Sequence, residues 1–374
     1  MAKRKKKFSK ALTIFLAILC FCVGATGGFY AYFKLTAPTV SDTYEPSSAT
    51  YKSGDLVIDF LELGNKYTGD CTYIKVGDTD VLIDAGSKTS SVQTIDNHLK
   101  QYVTDGIIEY VIVTHAHEDH YAGFATNEDA NSIFDLYECE VIIDFSQITD
   151  SKSDQKMYKN YIRERDAEVE AGATHLTARE CKEQGKDSFD LGAGVELQIL
   201  DSYYYYHTSE TENDHSVCVM INQGDKHFLF TGDLEQKGEE KLVQMNKLPK
   251  VEVYKAGHHG SKTSSSEILM EKIQPNIVCV CCCAGSSEYT KNTENQFPTQ
   301  AFIDRVAPST DRVYVTTLCI DYNDSKFESM NGNIRIVSSL AGVSVSCSNN
   351  NTILRETAWF KQERTCPDEW ETGR

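Results

Sequence analysis

Four side chains able to bind a metal ion fall within six residues: His115, His117, Asp119 and His120 in Thr114-His115-Ala116-His117-Glu118-Asp119-His120-Tyr121-Ala122-Gly123. They follow the apolar run Val111-Ile112-Val113. Imidazole nitrogens with a carboxylate oxygen suit zinc, and a turn leaving a rigid strand lets such donors converge on one point. A merely polar, histidine-rich loop has no reason to keep the spacing H-x-H-x-D-H. Two later segments supply what this cluster lacks. Phe228-Leu229-Phe230-Thr231-Gly232-Asp233 is an apolar strand that ends in a glycine and a carboxylate, which puts Asp233 where it can bridge two cations. Tyr254-Lys255-Ala256-Gly257-His258-His259-Gly260-Ser261 is another strand ending in histidine. A T-G-D alone reads as a turn; the three segments in this order describe a site for a pair of ions.

With these motifs the chain resembles the metallo-β-lactamase-fold hydrolases, and among them the hydrolase domain of ComEC-type DNA-uptake (competence) proteins. The likeness is carried by Asp84 in Val81-Leu82-Ile83-Asp84-Ala85-Gly86, the H-x-H-x-D-H cluster, Asn213-Asp214-His215-Ser216, Thr231-Gly232-Asp233 and Gly257-His258-His259-Gly260-Ser261. It extends over about residues 55 to 350, where Asn331-Gly332-Asn333-Ile334-Arg335-Ile336 resembles a closing hairpin. The resemblance implies that His115 and His117 hold one zinc, that Asp119, His120 and one of His258 or His259 hold the other, and that Asp233 lies between. It implies a nucleophilic hydroxide, because two cations lower the pKa of a shared water to near neutrality. Asp119 and Asp233 then tune charge and exchange a proton, and manganese is the alternative metal.

The chain also departs from that family. Relatives carry a further histidine for the first zinc in a Gly-His segment before the strand leading to T-G-D. Here His215, Glu212 and His207 are the candidates in its place. The segment Leu63-Gly64-Asn65-Lys66-Tyr67-Thr68-Gly69-Asp70 is longer than the Gly-Gln-Gly-Asp of that branch. Asn295-Gln296-Phe297-Pro298-Thr299 lacks the Gly-His elements of the DNA-uptake relatives.

The elements that must position these residues are legible as apolar runs. Strands are predicted at 56–61, 71–76, 80–83, 108–113, 140–144, 195–200, 216–221, 226–230, 251–254 and 276–283, and helices at about 90–102, 153–170, 235–247 and 264–273. This mixed order predicts an α/β fold, a four-layer αββα sandwich, for a domain at 55–350 followed by a C-terminal tail at 351–374. Composition agrees, since 40% of the chain is apolar. No internal repeat is evident.

The N-terminus bears on where the chemistry happens. Lys3, Arg4, Lys5, Lys6, Lys7 and Lys10 form a basic tail (1–10), and residues 11–33 carry no charge. That length suits a transmembrane helix, with the basic block in the cytoplasm and everything after Lys34 outside. Cleavage near Ala25 and secretion is the alternative. Residues 34–54, with Pro38 and Pro46, read as a linker.

Charge constrains the substrate. Lys and Arg number 37 against 55 Asp and Glu, a net −18. Seven of the basic residues lie at or before Lys34 with no acid among them, so the remainder carries 30 against 55, a net −25. That argues against tight, nonspecific nucleic-acid binding, which needs basic surface to release counterions, but leaves DNA or nucleotides open as substrates. A local Lys255/Lys262 pair, with the hydroxyls and N–H groups from Ser261 onward, offers a place for one phosphate; an ordinary helix cap is the other reading of that segment. Tyr203 to Tyr206 read as loop packing, or as a surface on which a base stacks.

Of 13 cysteines, Cys279, Cys281, Cys282 and Cys283 lie in one strand-like run and serve as small apolar residues, since neighbours on a strand face opposite ways. A Cys347–Cys366 disulfide is one available pairing. The sequence therefore predicts a membrane-anchored extracytoplasmic metal-dependent hydrolase of phosphodiester bonds in DNA or nucleotides. A same-fold hydrolase of an ester, lactone or amide, or a noncatalytic binding module, are the alternatives.

Overall fold

The computed structural model describes residues 55–125 and 131–371. The expected tail, membrane span and linker at 1–54 lie outside the described residues, and no helix among the described residues is long and apolar enough to cross a membrane.

Among the described residues, sixteen strands form two eight-stranded sheets. The first contains β1 (Leu56–Phe60), β2 (Thr72–Val76), β3 (Thr79–Ile83), β4 (Ile107–Ile112), β5 (Glu138–Asp144) and β6 (Thr174–Thr177), with β15 (Ile334–Ser339) and β16 (Gly342–Cys347). Its order is β16-β15-β1-β2-β3-β4-β5-β6. The second holds β7 (Ser188–Gly192), β8 (Val195–Ile199), β9 (Val219–Gln223), β10 (Lys226–Phe230), β11 (Val253–Lys255), β12 (Ile277–Ala284), β13 (Val313–Asp321) and β14 (Lys326–Ser329). Its order runs β14-β13-β12-β11-β10-β9-β8-β7.

Both sheets follow one plan that the sequence does not betray as a repeat. In each, an antiparallel meander ends in a strand, β3 or β10, that then pairs in parallel with the next, β4 or β11. A parallel neighbour requires a crossover, and its connections leave both strands' C-terminal ends at one edge. Asp84 follows β3, the H-x-H-x-D-H cluster follows β4, Asp233 follows β10 and the tandem histidines follow β11. Equivalent strand ends of the two halves thus carry the predicted metal donors except His215, which precedes β9.

Alternation across the strands decides the layers. Phe60 and Phe230 stack between the sheets with centroids 6.1 Å apart. Asp59, one residue away on the opposite face, meets His98 of the outer helix Val92–Leu99 at 3.0 Å and is gripped by Arg335. On the second sheet Leu229, Tyr254, Val278, Val280 and Cys282 face outward and pack with Leu242, Leu269, Ile273, Phe302 and Val306 from three helices, Gln236–Met245, Glu267–Ile273 and Gln300–Val306. Burying each large apolar side chain here contributes roughly 1.5–3 kcal/mol. The four-layer αββα arrangement follows.

Several boundaries differ from expectation. The strand predicted at 216–221 begins at Val219, because Ser216 turns its hydroxyl back to the Asn213 carbonyl, 2.7 Å away. Strands β6, β7 and β14 carry too little apolar alternation to be read beforehand, and β14 is a largely exposed edge; β13, whose first five residues are all buried, was missed although its sequence is apolar. The expected C-terminal tail is packed through residue 371: Phe360 and Trp370, both 2% exposed, join the core beneath β13. No disulfide joins Cys347 to Cys366. The cysteines of β12 are buried within the strand, as small apolar residues would be.

Candidate metal centre

Backbone geometry at the four strand ends comes first. Asp84 sits in the left-handed region, φ 61°. There its carboxylate accepts from the Thr114 N–H and the Thr114 hydroxyl, both at 2.8 Å, which ties the end of β3 to the end of β4. Gly86 is obligatory at the next step, since a Cβ there would lie 1.6 Å from the Asp119 carbonyl oxygen. Ala85 and His120 then exchange a 2.8 Å backbone bond that fixes the histidine turn against this loop. In the other half His258 and His259 both take left-handed angles, φ 47° and 55°. Such conformations cost about 1–3 kcal/mol each in non-glycine residues and persist only where the surroundings enforce them.

The side chains converge on Asp233 Oδ2. It lies 3.3 Å from His120 Nε2, 3.4 Å from His259 Nε2, and 3.9 Å from both His115 Nε2 and His258 Nε2. On one side His115 Nε2 faces His117 Nδ1 at 3.0 Å. On the other, His120 Nε2 and His259 Nε2 are 3.3 Å apart, and Asp119 Oδ2 lies 3.5 Å from His259 Nε2. The result is two nests of donors with one carboxylate between them.

What holds each ring was invisible in the sequence. His120 turns Nδ1 to Asp84 at 2.8 Å. His115 Nδ1 faces the hydroxyls of Thr114 (3.1 Å) and Ser216 (3.4 Å). His259 gives Nδ1–H to the Cys281 carbonyl at 2.9 Å and lies 3.1 Å from Asp70, which is itself paired with the buried Lys255. An imidazole whose outer nitrogen is engaged in this way leaves the inner nitrogen's lone pair for a metal.

The electrostatics fit a cation. Burial, with His120 next to it, holds His115 well below the usual imidazole range, so it is a neutral donor. Burial also lowers His117 and His258. For His120 and His259 burial opposes charge but is outweighed, by Asp233 and Asp84 for the first and by Asp233 and Asp70 for the second, and both are held well above that range. Asp233 is held well below the carboxylate range: burial opposes ionisation, and His259 and His120 overcome it. Protons on two imidazoles thus occupy the electrostatic role a divalent ion would take. Asp233 Oδ1 and His215 Nε2 are buried with no hydrogen-bond partner, a state that metal coordination relieves. Asp70, His120, Asp233 and His259 offer ligand atoms within 4.8 Å of one another. Of these Asp70 belongs behind His259, because Lys255 already claims its carboxylate.

The predicted residues divide as follows. His115, His117, Asp119, His120, Asp233 and His259 are gathered at one place. His258 reaches the rim: its Nδ1 faces the Thr263 hydroxyl at 3.0 Å. His215, next to Ser216 in the sequence, is buried with Nδ1 3.3 Å from Glu212. Glu212 in turn accepts from the Thr149 hydroxyl at 2.7 Å. His207 is exposed and stacked on Tyr203 with centroids 3.8 Å apart, so its ring is already engaged outside the buried cluster. The expectation of a Lys255/Lys262 phosphate pair is corrected: Lys255 is 2% exposed and neutralised by Asp70, whereas exposed Lys262 reaches Asn295 at 2.9 Å. Ser261 is buried with its hydroxyl 3.1 Å from that of Thr263. Of the tyrosine run, Tyr205 is core and its hydroxyl accepts from the Cys218 N–H at 2.9 Å.

Three residues escaped sequence reasoning. Asp70 is one, although Gly69-Asp70 just before a strand was the available signal. Tyr289, from a loop after β12, gives its hydroxyl to Asp119 Oδ2 at 2.6 Å. Phe297 lies over the tandem histidines, 5.8 Å and 6.0 Å from the two rings.

Residues 64–130 match the metallo-beta-lactamase superfamily. Recombination protein 2 of Haemophilus influenzae is 28% identical over 225 residues, 60% of this chain and 24% of that protein. ComE operon protein 3 of Bacillus subtilis is 30% identical over 104 residues, 26% of this chain and 13% of that protein. The chain is a metallo-β-lactamase-fold protein similar to the competence proteins. It spans a quarter or less of the length of these relatives. Among solved structures, the metallo-beta-lactamase fold protein YhfI from Bacillus subtilis aligns with a TM-score of 0.40 and 10% identity, over 71% of this chain and 96% of that one. The matched stretch of the metallo-β-lactamase fold includes Asp70, Asp84 and the whole H-x-H-x-D-H cluster.

Proposed function

We propose that this metallo-β-lactamase-fold protein is a metal-dependent hydrolase of phosphodiester bonds in DNA or nucleotides. The supporting observation is the position of Asp233 Oδ2 between two nests of donors, His115/His117 and Asp119/His120/His259. Similarity to a recombination protein and a competence protein favours nucleic acid as the substrate class. Zinc suits the nitrogen-rich donor set, with manganese the alternative, and His215 is assigned as the third donor of the first nest on its orphaned Nε2. When bound, two such ions supply Lewis acidity and lower the pKa of water to near neutrality.

The chain's own residues do the rest. Asp84, Thr114, Ser216 and the Cys281 carbonyl orient the imidazoles. Asp119, held ionised, accepts a hydrogen bond from the Tyr289 hydroxyl on Oδ2 and is placed to take a proton there. Exposed Lys262, after the tandem histidines, contacts the substrate, with the buried Ser261 behind it. Residues 11–33 anchor the chain in the cell membrane by a single pass with the hydrolase outside, or are removed near Ala25.

Turnover of bis-p-nitrophenyl phosphate, single-stranded DNA and p-nitrophenyl acetate tests this reading, with zinc or manganese and with a chelator. Metal-dependent cleavage of the two phosphodiesters is expected. Metal-dependent cleavage of the ester alone would replace the phosphodiesterase with an esterase.

A further inference from the structure

The loop that brings Tyr289 to Asp119 also joins the metal centre to a group of side chains that hydrolysis leaves unused. Glu288, next to Tyr289, accepts the Thr68 N–H at 2.8 Å and so docks the loop on residues 64–70. Beside that contact Tyr67 and Tyr322 meet edge to face, centroids 6.2 Å apart. Lys66 Nζ lies 4.2 Å from the Tyr322 ring centre and 5.4 Å from that of Tyr67, and Lys88 Nζ lies 5.1 Å from the Tyr67 ring centre. All four side chains are partly exposed.

Their present partners are weak ones. Lys66 donates to the Tyr322 carbonyl at 2.7 Å, and Lys88 meets Glu118 at 3.3 Å in a pair whose members are 37% and 42% exposed. Exposed pairs of that kind contribute about 0–1 kcal/mol and yield readily to a better anion. The group is tied along the chain to the metal centre: Tyr67 is three residues from Asp70, so their Cα atoms are at most about 11 Å apart, and Glu118, the partner of Lys88, adjoins Asp119.

Two ammonium groups are set against two tyrosine rings, with Glu118 beside Lys88 and Glu288 docked on the adjoining Thr68 N–H. Ammonium groups take phosphate and ring faces take bases, the combination by which proteins hold single strands without reading sequence. An ester or lactone has no use for it. We propose that Lys66, Tyr67, Lys88 and Tyr322 bind the neighbouring nucleotide of a single-stranded nucleic acid whose scissile phosphodiester lies at the metal centre. This rests on the phosphodiesterase reading and extends it from isolated phosphodiesters to strands.

Binding measured without turnover separates the two claims. Fluorescence anisotropy of a labelled oligothymidylate with the full chain, metal chelated, is expected to show salt-dependent association. K66A/K88A weakens it about tenfold and lowers the slope of log affinity against log salt by about 1.4, about 0.7 for each phosphate charge neutralised on a single strand. K66R/K88R restores both. Tyr322→Ala weakens binding about five- to tenfold with the slope kept, because stacking releases no counterion. The basic block at residues 3–7 adds the same background to every variant. A purely structural role, pinning residues 64–68 to the β13–β14 turn, would change the thermal midpoint and leave the salt slope alone. Absence of association in the wild type, or equal affinity and slope in K66A/K88A, overturns the proposal. If bis-p-nitrophenyl phosphate is not cleaved but lysine-dependent association persists, the phosphodiesterase reading fails while the strand-binding site stands.

Discussion

Asp84 shows how much of this centre lies one bond behind the residues that face it. Its two oxygens tie β4 to β3 through Thr114 and orient His120, so His120 is aimed by a carboxylate 36 positions earlier. Asparagine tolerates left-handed angles as aspartate does, so Asp84→Asn leaves the backbone in place but loses the charge that fixes the tautomer. Zinc affinity measured by competition with a chromogenic chelator is expected to fall about 10- to 100-fold, with the far-ultraviolet circular dichroism unchanged. At this scale the sequence disclosed the donors and concealed their supports. His115, His117, Asp119 and His120 are neighbours in the chain, and their types announce the chemistry. Asp70, Ser216, Cys281 and Tyr289 act across tens of residues or more, through contacts that no spacing rule records.

Among elements, the loop at residues 261–266 is held from two directions. Glu239, on the helix Gln236–Met245, accepts the Ser265 and Ser266 N–H groups, both at 2.6 Å. Arg305, on the helix Gln300–Val306, donates to the carbonyls of Ser265 and Ser264, each at 2.7 Å. Between them they brace the segment that follows the strained tandem histidines. Arg305→Ala leaves buried carbonyls without donors, and urea denaturation is expected to show a loss of about 2–3 kcal/mol; an unchanged midpoint would mean that the loop is held elsewhere. Strands that end in consecutive apolar residues, such as β4 and β10, were legible because those runs are uninterrupted. Edge strands such as β14 were not, since solvent on both faces removes the pattern that reveals a strand.

Taken whole, the molecule stores charge in its centre, and that gives its stability a pH dependence. Held below the usual range, Asp233 and Asp119 contribute stability present above about pH 4 and lost as pH falls through their folded values. Raised imidazoles work the other way: His120 and His259 contribute fully below about pH 6.5, and that contribution is lost as pH rises through their folded values. In chelator the thermal midpoint should therefore peak between about pH 4 and 6.5 and decline above it. Added zinc must displace those protons, so its stabilising shift should widen from acid to neutral pH; a shift independent of pH would contradict that exchange. The two-sheet plan of the whole domain was legible as an alternation of strand and helix signals. Its internal repeat was not, because the halves share strand order and the placing of carboxylates and histidines, while no residue pattern repeats.

Metal analysis of the purified full chain bears most directly on the central claim that Asp233 lies between two ion sites. The account predicts about two equivalents of zinc per chain, falling to about one in His117→Ala, with Asp233→Asn weakening both sites. A wild type that binds no divalent ion tightly, or binds as many with His117, Asp119 and Asp233 all replaced, would contradict it.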